Sequence, residues 1–453
     1  MSKLMISISG VRGIVGDGLS PQVVTNFAQA FGSYLGNGKV IVGKDSRVTG
    51  PMMKHAVFAG LLAAGCDIID IGTVPTPTVQ MAVEHLKARG GIAITASHNP
   101  IEWNALKLID SSGWFLDEVQ GNKVIHIVND KKYQNVKWNQ IGKVEYFDGA
   151  IEHHLKSILK LDLVDTEFIA GKKFKVVVDC VNGAGGTILP ELLNRLGCEA
   201  IFINGEPTGL FPRSPEPLPE NLKELCDKVK SEKADIGFAV DPDVDRLAIV
   251  SEKGKPLGEE YTLVLAVNYV MQKRHGAIVV NASVTQAIDE IAKRYGTEVL
   301  RTKVGEIHVA KKMHEVKAAI GGEGNGGVIL PELHLGRDAP LGIALILQHL
   351  AQFGGKISEL HKSLPQFYQS KNRIELKEIN VASVLDSLIS NHRSERLDLT
   401  DGLKILWPDQ WVHIRPSNTE PIIRIYSEAR SVEEADALGF RFIKEIKENI
   451  GQA

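Results

Sequence analysis

Three aspartates alternate in the loop 241–246, directly after the apolar run Ile236–Val240. Alternate residues of an extended segment point to the same side, so the carboxylates of Asp241, Asp243 and Asp245 are expected to face one another. Such a group would repel itself strongly without a cation. Mg²⁺ prefers hard oxygen ligands of this kind and takes its remaining ligands from water and phosphate. The spacing therefore predicts a magnesium site.

The same loop allows two other interpretations. An EF-hand would use Glu252 at its twelfth position, but Arg246 stands where that loop requires glycine, and a strand precedes the loop in place of a helix. A solvated acidic turn is the second alternative, and it stays open on sequence alone. The position of the aspartates after a buried strand favours the metal site.

Ser97 is a second residue that could do chemistry. The apolar run 92–95 suits a buried strand, and Asn99-Pro100 cannot continue it. In open α/β sheets the carboxyl ends of strands border the ligand crevice, so this hydroxyl is expected at a reactive position. A simple hydrogen-bonding turn is the alternative. Because adjacent residues of an extended chain point to opposite sides, His98 is expected to turn away from Ser97, which disfavours a hydrolase-type pair.

Two further loops carry groups that bind sugars or phosphates. The glycine-rich segment 321–327 holds Glu323 and Asn325, an acid and an amide suited to sugar hydroxyls, on a backbone that allows close approach of a ligand. The loop 415–421 combines a guanidinium, hydroxyls, an amide and backbone N–H groups, which together suit a phosphate. An ordinary turn between strands explains this second loop equally well. The predicted phosphate ligands are Arg415, Ser417, Asn418 and Thr419.

A repeated strand–helix–strand pattern positions the first three of these loops. Each repeat has an apolar strand, a helix, a glycine at the helix end and a second strand, which is typical of parallel β-α-β units. Each then leads through a further apolar strand into its polar loop. After about Leu364 the pattern changes to a smaller α+β arrangement. We therefore predict three related mixed α/β domains and a smaller α+β C-terminal domain, with boundaries at 1–148, 149–255, 256–367 and 368–453.

Composition excludes several classes of protein. The chain has 453 residues, 43% of them hydrophobic and 24% charged, as in ordinary globular proteins. A net charge of −3 argues against a broad nucleic-acid surface. No run of about 18 apolar residues and no signal peptide is evident, so no membrane association and a cytoplasmic location are expected. The cysteines lack metal or redox spacing and are expected to be reduced, small apolar groups. They are Cys66, Cys180, Cys198 and Cys226.

With these loops in this order, the chain resembles the α-D-phosphohexomutases along essentially its whole length. The matching motifs are Thr-Ala-Ser-His-Asn-Pro at 95–100, Asp-Pro-Asp-Val-Asp-Arg at 241–246, Gly-Glu-Gly-Asn-Gly at 322–326 and Arg-Pro-Ser-Asn-Thr-Glu-Pro at 415–421. The stretches 10–13, 43–47 and 178–185 are also similar. The segments 304–306, 322–327 and 336–338 look most like the phosphoglucosamine mutase branch. The family's usual glycine is replaced by Ala105, and its frequent serine by Asn325.

The resemblance implies a role for each candidate residue. Ser97 is carried as phosphoserine, and one of its phosphate oxygens joins Asp241, Asp243 and Asp245 around one Mg²⁺ per chain. Glu323 and Asn325 contact the sugar hydroxyls, while the loop that begins at Arg415 grips the phosphate that is not transferred. A hexose bisphosphate serves as activator. The resemblance also places four further residues at the reacting oxygen or beside the metal loop: Arg12, His98, Lys107 and Arg246.

The resulting hypothesis is a phosphohexomutase that moves phosphate between O6 and O1 of a hexose. The expected reaction is glucosamine 6-phosphate to glucosamine 1-phosphate, with glucose or mannose phosphate as the alternative within the class. Lys107 and His98 are both candidates for the base. A phosphatase with Asp241 as nucleophile, in the manner of the haloacid dehalogenases, and a non-catalytic sugar-phosphate sensor are the alternatives from other classes. The sequence leaves open whether the protein is a monomer or a homodimer.

Overall fold

The first segment of the chain forms the largest sheet in the computed structural model, which describes residues 4–375, 381–416 and 422–451. Its strands are β1 Leu4–Ser7, β2 Gly10–Val15, β3 Gly18–Leu19, β4 Gly38–Lys44, β5 Cys66–Thr73, β6 Gly90–Ile94, β7 Trp103–Ile109 and β8 Val144–Tyr146. Its helices are α1 Pro21–Leu35, α2 Gly50–Ala63, α3 Thr76–His85 and α4 Glu118–Asp130.

The order of this sheet is β1-β2-β7-β6-β4-β5-β8, with β3 beside β2. Strands β5, β4 and β6 run parallel, as a β-α-β unit requires, while β7 returns antiparallel to β6. The strands at the centre are apolar on both faces because helices cover them, which buries residues such as Val40, Ile92 and Phe31. This packing fixes the end of β6, where the Ser97 loop begins.

The second segment repeats the arrangement on a smaller scale. Its elements are α5 Ala150–Leu159, α6 Thr166–Ala170, β9 Lys175–Asp179, α7 Leu189–Arg195, β10 Glu199–Ile203, α8 Lys223–Glu232, β11 Ile236–Val240 and β12 Leu247–Ser251. The sheet order is β10-β9-β11-β12, parallel except for the last pair. The aspartate loop therefore connects two adjacent antiparallel strands, β11 and β12.

The third segment contains α9 Glu260–Val270, β13 Ile278–Asn281, α10 Ala287–Tyr295, β14 Val299–Thr302, α11 Glu306–Val316, β15 Ile320–Glu323, β16 Gly327–Ile329, α12 Ala339–Phe353 and α13 Ile357–Lys362. Strand β13 pairs parallel with both β14 and β15. The corresponding strands of all three segments have the same order in their sheets: β5-β4-β6-β7, β10-β9-β11-β12 and β14-β13-β15-β16. The structure thus confirms the repeat that the sequence predicted.

The last segment has the predicted α+β character. Its elements are β17 Tyr368–Glu375, α14 Val381–Asn391, β18 Arg396–Asp398, β19 Leu403–Leu406, β20 Trp411–Pro416, β21 Ile422–Ala429 and α15 Val432–Gly451. The five strands form an antiparallel sheet in the order β17-β21-β20-β19-β18. Its apolar face packs against α14 and α15 through residues that include Leu388, Ile414 and Phe442.

The chain packs as two compact units. The first contains residues 1–273 and 325–361, and the second contains residues 274–324 and 362–453. All four cysteines are free thiols, and Cys66 and Cys180 are buried. Within the described ranges, no helix is both long enough and apolar enough to cross a membrane.

Candidate active site

Ser97 lies in a constrained loop just beyond the end of β6. Its backbone is in the left-handed region, with φ of 48°, which a residue other than glycine adopts only when its surroundings hold it there. The Ser97 N–H donates to Thr95 Oγ1 at 2.9 Å, and Ser97 Oγ donates to Asp241 Oδ2 at 2.7 Å. The turn also brings His98 Nδ1 to 3.4 Å from Ser97 Oγ. The expectation that His98 turns away was wrong, because the chain is no longer extended at Ser97.

The structure brings the three aspartates together after β11. One ligand oxygen from each of Asp241, Asp243 and Asp245 lies within 4.8 Å of the others, and all three residues are buried. The Asp241 Oδ1 atom accepts the backbone N–H groups of Asp245 and Arg246, both at 3.2 Å. In the part of the chain that the structure describes, Asp243 Oδ1 and Asp245 Oδ1 are buried without a hydrogen-bond partner. Such oxygens are costly unless a cation contacts them.

The ionisation of the triad also fits a divalent cation. Burial, followed by the charges of Asp245 and Asp243, raises the pKa of Asp241 well above its usual value. Burial alone would raise the pKa of Asp243 too, but the Lys107 ammonium outweighs burial and lowers it. Two carboxylates held close in a buried site cannot both ionise easily without a compensating positive charge. The residues present therefore suit Mg²⁺, which binds carboxylate oxygens.

Three side chains outside the loop fix the aspartates. Lys107 Nζ lies 2.7 Å from Asp243 Oδ2 and 3.3 Å from Asp245 Oδ2. Thr76 Oγ1 donates to Asp243 Oδ2 at 2.6 Å, and Arg337 Nη2 donates to Asp245 Oδ2 at 2.7 Å. Lys107 is on β7 and Thr76 begins α3. In metal sites, replacing a group that orients a ligand in this way typically costs about 10–100-fold in metal affinity.

Basic groups lie beside the serine loop, where the charges of Arg246 and Arg12 act on His98. Arg12 Nη1 donates to Asn99 Oδ1 at 2.7 Å, and Arg246 Nη1 donates to Glu216 Oε1 at 2.7 Å. Burial, with the nearby charges of Arg246 and Arg12, lowers the pKa of His98 well below its usual value. At neutral pH His98 is therefore an uncharged imidazole that can accept a proton.

Arg47 holds the backbone of the serine loop. It is fully buried with Asp45, and its Nε lies 3.0 Å from Asp45 Oδ2. Its guanidinium donates to the carbonyl oxygens of Ser97 at 2.6 Å, Asn99 at 2.7 Å, Pro100 at 2.6 Å and Trp103 at 3.0 Å. Asp45 also accepts from the Arg47 N–H at 2.9 Å and from Thr95 Oγ1 at 2.7 Å. The planar guanidinium of one arginine thus holds, by hydrogen bonds, the backbone of the turn that contains Ser97.

The second unit contains Glu323 and Arg415. Glu323 Oε1 accepts from Asn281 Nδ2 at 2.9 Å and from the Gly305 N–H at 3.0 Å, which orients the carboxylate. Arg415 Nε lies 3.9 Å from Asp401 Oδ2, a loose ion pair. The predicted phosphate ligands Ser417, Asn418 and Thr419 lie outside the described residues.

Asn325 belongs to the first unit. Its Oδ1 atom is shielded from solvent and has no partner among the described residues. A ligand hydroxyl could satisfy it.

Four family models match the chain in order. They describe phosphoglucomutase/phosphomannomutase α/β/α domains I, II and III and the C-terminal domain, and they match residues 4–135, 152–254, 258–368 and 373–444. The chain belongs to the phosphoglucomutase/phosphomannomutase family. It is a phosphohexomutase, an enzyme of the isomerase class.

Relatives of this phosphohexomutase match it along almost their whole length. The chain is 41% identical over 449 residues to a phosphoglucomutase/phosphomannomutase of Thermococcus kodakarensis, covering 96% of this chain and 97% of the relative. It is 39% identical to a probable phosphoglucosamine mutase of Methanopyrus kandleri, covering 96% of each. The crystal structure of a family protein from Burkholderia thailandensis is similar with a TM-score of 0.84 at 28% identity, covering 98% of each chain.

The sequence did not indicate a role for three residues that contact the candidate site. Arg47 and Arg337 stand in stretches that resemble the family, 43–47 and 336–338, but nothing in those stretches indicated their contacts. Nothing in the sequence indicated a role for Thr76, since a Thr-Pro pair is common at the start of a helix. Their contacts depend on tertiary packing, because Thr76 and Asp243 are 167 positions apart in the sequence.

Proposed function

We propose that this phosphohexomutase transfers phosphate between O6 and O1 of a hexose phosphate by way of phosphoserine at Ser97 and a hexose bisphosphate. The observation that carries this proposal is the 2.7 Å contact between Ser97 Oγ and Asp241 Oδ2. It joins the only serine of the 95–100 motif to the acidic triad. A phosphate on that oxygen would extend the negative charge of the site, which agrees with the surrounding basic groups.

We propose that Asp241, Asp243 and Asp245 hold one Mg²⁺ together with an oxygen of phospho-Ser97. When bound, the cation would neutralise charge on the phosphoryl group. The chain's own residues would position the reacting groups. Arg47 holds the Ser97 backbone in one position, which keeps the reacting oxygen aligned. Lys107, which is already paired with Asp243 and Asp245, maintains the positions of the carboxylates.

Transfer would exchange one P–O bond for another. The bond between phosphorus and Ser97 Oγ breaks as the bond to a sugar hydroxyl oxygen forms, and the hydroxyl proton must be removed. The resulting bisphosphate then reorients and returns its other phosphate to Ser97, whose oxygen must lose its proton in that step. A hexose bisphosphate supplied as activator would phosphorylate resting Ser97 by the same exchange.

Between the two candidates for the base, the structure supports His98. Burial alone would lower the pKa of Lys107, but the charges of Asp243 and Asp245 outweigh it and raise that pKa, so Lys107 stays protonated. The low pKa of His98 leaves its imidazole unprotonated but makes it a weaker base, so the support for His98 is its position, with Nδ1 3.4 Å from Ser97 Oγ. A base must be within reach of the proton before its pKa matters.

Several loops are proposed to contact the substrate. Glu323 and Asn325 would accept hydrogen bonds from the sugar hydroxyls, and Arg246 would contact the substrate beside the metal loop. Arg415, with Ser417, Asn418 and Thr419, would bind the phosphate that is not transferred. The four domains, with boundaries at 148, 255 and 367, are part of the same proposal, since each domain would supply one loop.

Glucosamine phosphate is the proposed substrate, on the resemblance of the 322–327, 304–306 and 336–338 stretches. Glucose and mannose phosphates are the second candidate, and one observation favours them. Two relatives come from Thermococcus kodakarensis: the one named phosphoglucomutase/phosphomannomutase is 41% identical to this chain, and the one named probable phosphoglucosamine mutase is 34% identical.

The deciding experiment compares kcat/KM for glucosamine, glucose and mannose 6-phosphates, each with its own bisphosphate as activator. The highest value for glucosamine 6-phosphate would support the first candidate. If it were the poorest of the three, the substrate assignment would be wrong while the phosphoserine proposal would stand. Hydrolysis to free phosphate in place of isomerisation would favour the phosphatase alternative.

A further inference from the structure

Strand β8 lies at the edge of the eight-stranded sheet of the first unit. Within the described residues its only strand partner is β5, with Val144 opposite Ile68 and Tyr146 opposite Asp70. Its outer side therefore presents unpaired backbone groups, which are a template for pairing with another strand.

The hydrogen bonds to β5 show which backbone groups face outward. The Lys143 carbonyl accepts the Ile68 N–H at 2.7 Å, and the Phe147 N–H donates to the Asp70 carbonyl at 2.9 Å. Backbone groups of alternate residues point to opposite sides of a strand. The N–H and C=O of Val144 therefore point to the free edge. In an antiparallel pair, a residue with this orientation exchanges two hydrogen bonds with the residue opposite it.

Three large apolar side chains in β8 and in the segment just before it are exposed. Trp138 is 86% exposed, Tyr146 79% and Ile141 53%. Large exposed apolar side chains beside an open strand edge favour an interaction surface.

We propose that this edge is a self-association surface, on which β8 of a second copy of the chain pairs antiparallel about Val144. The charges at the edge match this occupant. In a two-fold pairing centred on Val144, Lys143 lies opposite Glu145 of the second copy, and the reverse pair forms by symmetry. Both side chains are exposed. Opposite charges directly across two strands stabilise the pairing, and like charges weaken it.

Neighbouring registers match less well. Centring the pair on Glu145 would place two identical carboxylates opposite each other, which is repulsive. Centring it on Tyr146 would place Glu145 opposite Phe147 and would leave Lys143 without a charged partner. The charge pattern thus selects one register.

Charge reversal tests this surface in the full-length protein. Sedimentation velocity over a range of concentrations is expected to show a monomer–dimer equilibrium for the native chain. The single variants Lys143→Glu and Glu145→Lys should each weaken dimerisation at least about tenfold, since two like-charged pairs replace two attractive ones. The double variant, which swaps the charges, should restore it. Lys253→Glu is the matched control, because it makes the same change at another exposed lysine and should leave the equilibrium unchanged.

Mutase activity measured on the same samples checks that the variants are folded, since neither residue belongs to the proposed active site. A native chain that sediments as a monomer at every concentration would overturn the proposal. So would a dimer that Lys143→Glu leaves intact, or single variants that the charge swap does not rescue.

Discussion

The hydroxyl of Ser97 and the carboxylate of Asp241 are hydrogen-bonded at 2.7 Å, although 144 positions separate them in the sequence. They come from the ends of β6 and β11, which belong to two different repeats of the same β-α-β pattern. Because equivalent strand ends supply both groups, the serine hydroxyl and the acidic triad meet while β6 and β11 keep their regular strand geometry.

Ser97→Ala should abolish mutase activity. The variant lacks the oxygen proposed to carry the phosphoryl group, and loss of a covalent nucleophile lowers kcat by on the order of 10³-fold or more. The measurement is the isomerisation rate with saturating bisphosphate. Ser111→Ala is the control, since that serine is exposed, and it should keep full activity. A Ser97→Ala enzyme within about tenfold of native would contradict the covalent proposal.

Asp243→Asn should raise the Mg²⁺ concentration needed for half-maximal activity. Removing one of three carboxylates weakens a hard-cation site, and even disturbance of groups around a ligand typically costs about 10–100-fold in metal affinity. Titration of activity with MgCl₂ measures the effect. Asp227→Asn, at an exposed position on α8, should leave the titration unchanged. An unchanged titration for Asp243→Asn would place the cation elsewhere.

Arg47→Lys should destabilise the first unit and slow catalysis although it preserves the charge. Lysine cannot reproduce the fork that contacts the carbonyl oxygens of Ser97, Asn99, Pro100 and Trp103. We expect a loss of up to about 3 kcal/mol in the free energy of unfolding, measured by urea denaturation, because disruption of a buried ion pair costs about 3–5 kcal/mol when one partner is removed.

The control for this change is Arg89→Lys. Arg89 is exposed and donates to the Leu35 carbonyl at 2.9 Å, so its replacement should cost well under about 1 kcal/mol. Equal stabilities for the two variants would show that the Arg47 fork does not hold the serine loop.

Acid should destabilise the protein partly through two histidines whose pKa values burial lowers. Burial lowers the pKa of His349 from 6.5 to about 4, and that of His361 to about 4 as well. Between these values the unfolded chain binds more protons than the folded one. The stability is therefore complete above pH 6.5 and falls as the pH drops toward 4, with a slope of up to about 1.4 kcal/mol per pH unit for each histidine.

His349→Asn tests this slope. Asparagine retains a donor near the position of Nδ1, which contacts the Leu265 carbonyl at 3.2 Å, but it does not titrate. Urea denaturation at several pH values should show a shallower fall in unfolding free energy between pH 6.5 and 4, with the contribution of His361 remaining. A slope identical to that of the native chain would show that the pKa of His349 is the same in the folded and the unfolded chain.

The sequence predicted the regular elements well because their hydrophobic periods and terminating glycines are local signals. The apolar run Ile236–Val240, for example, forms a strand with the same bounds. The sheets nevertheless include antiparallel members, β7 and β12, that the β-α-β pattern did not indicate. Their pairing depends on how the chain returns after each polar loop.

The chemistry was predictable wherever several reactive groups are close in the sequence, as in the 241–246 loop. It was not predictable where one side chain acts across the fold. Thr76, Arg337 and Arg47 contact the site through packing between elements distant in the sequence. The backbone conformation at Ser97 was not predictable either, because nothing in the sequence indicates that this serine has a positive φ. For that reason the contact of His98 with Ser97 was missed.

The most direct test of the proposed mechanism locates the phosphate on the enzyme. The native chain is incubated with radiolabelled hexose bisphosphate and Mg²⁺, and the labelled residue is identified by mass spectrometry after proteolysis. We expect label on Ser97, stable to hydroxylamine and released to substrate when unlabelled hexose phosphate is added. Label on Asp241 that hydroxylamine removes, with Ser97 unmodified, would contradict the phosphoserine proposal.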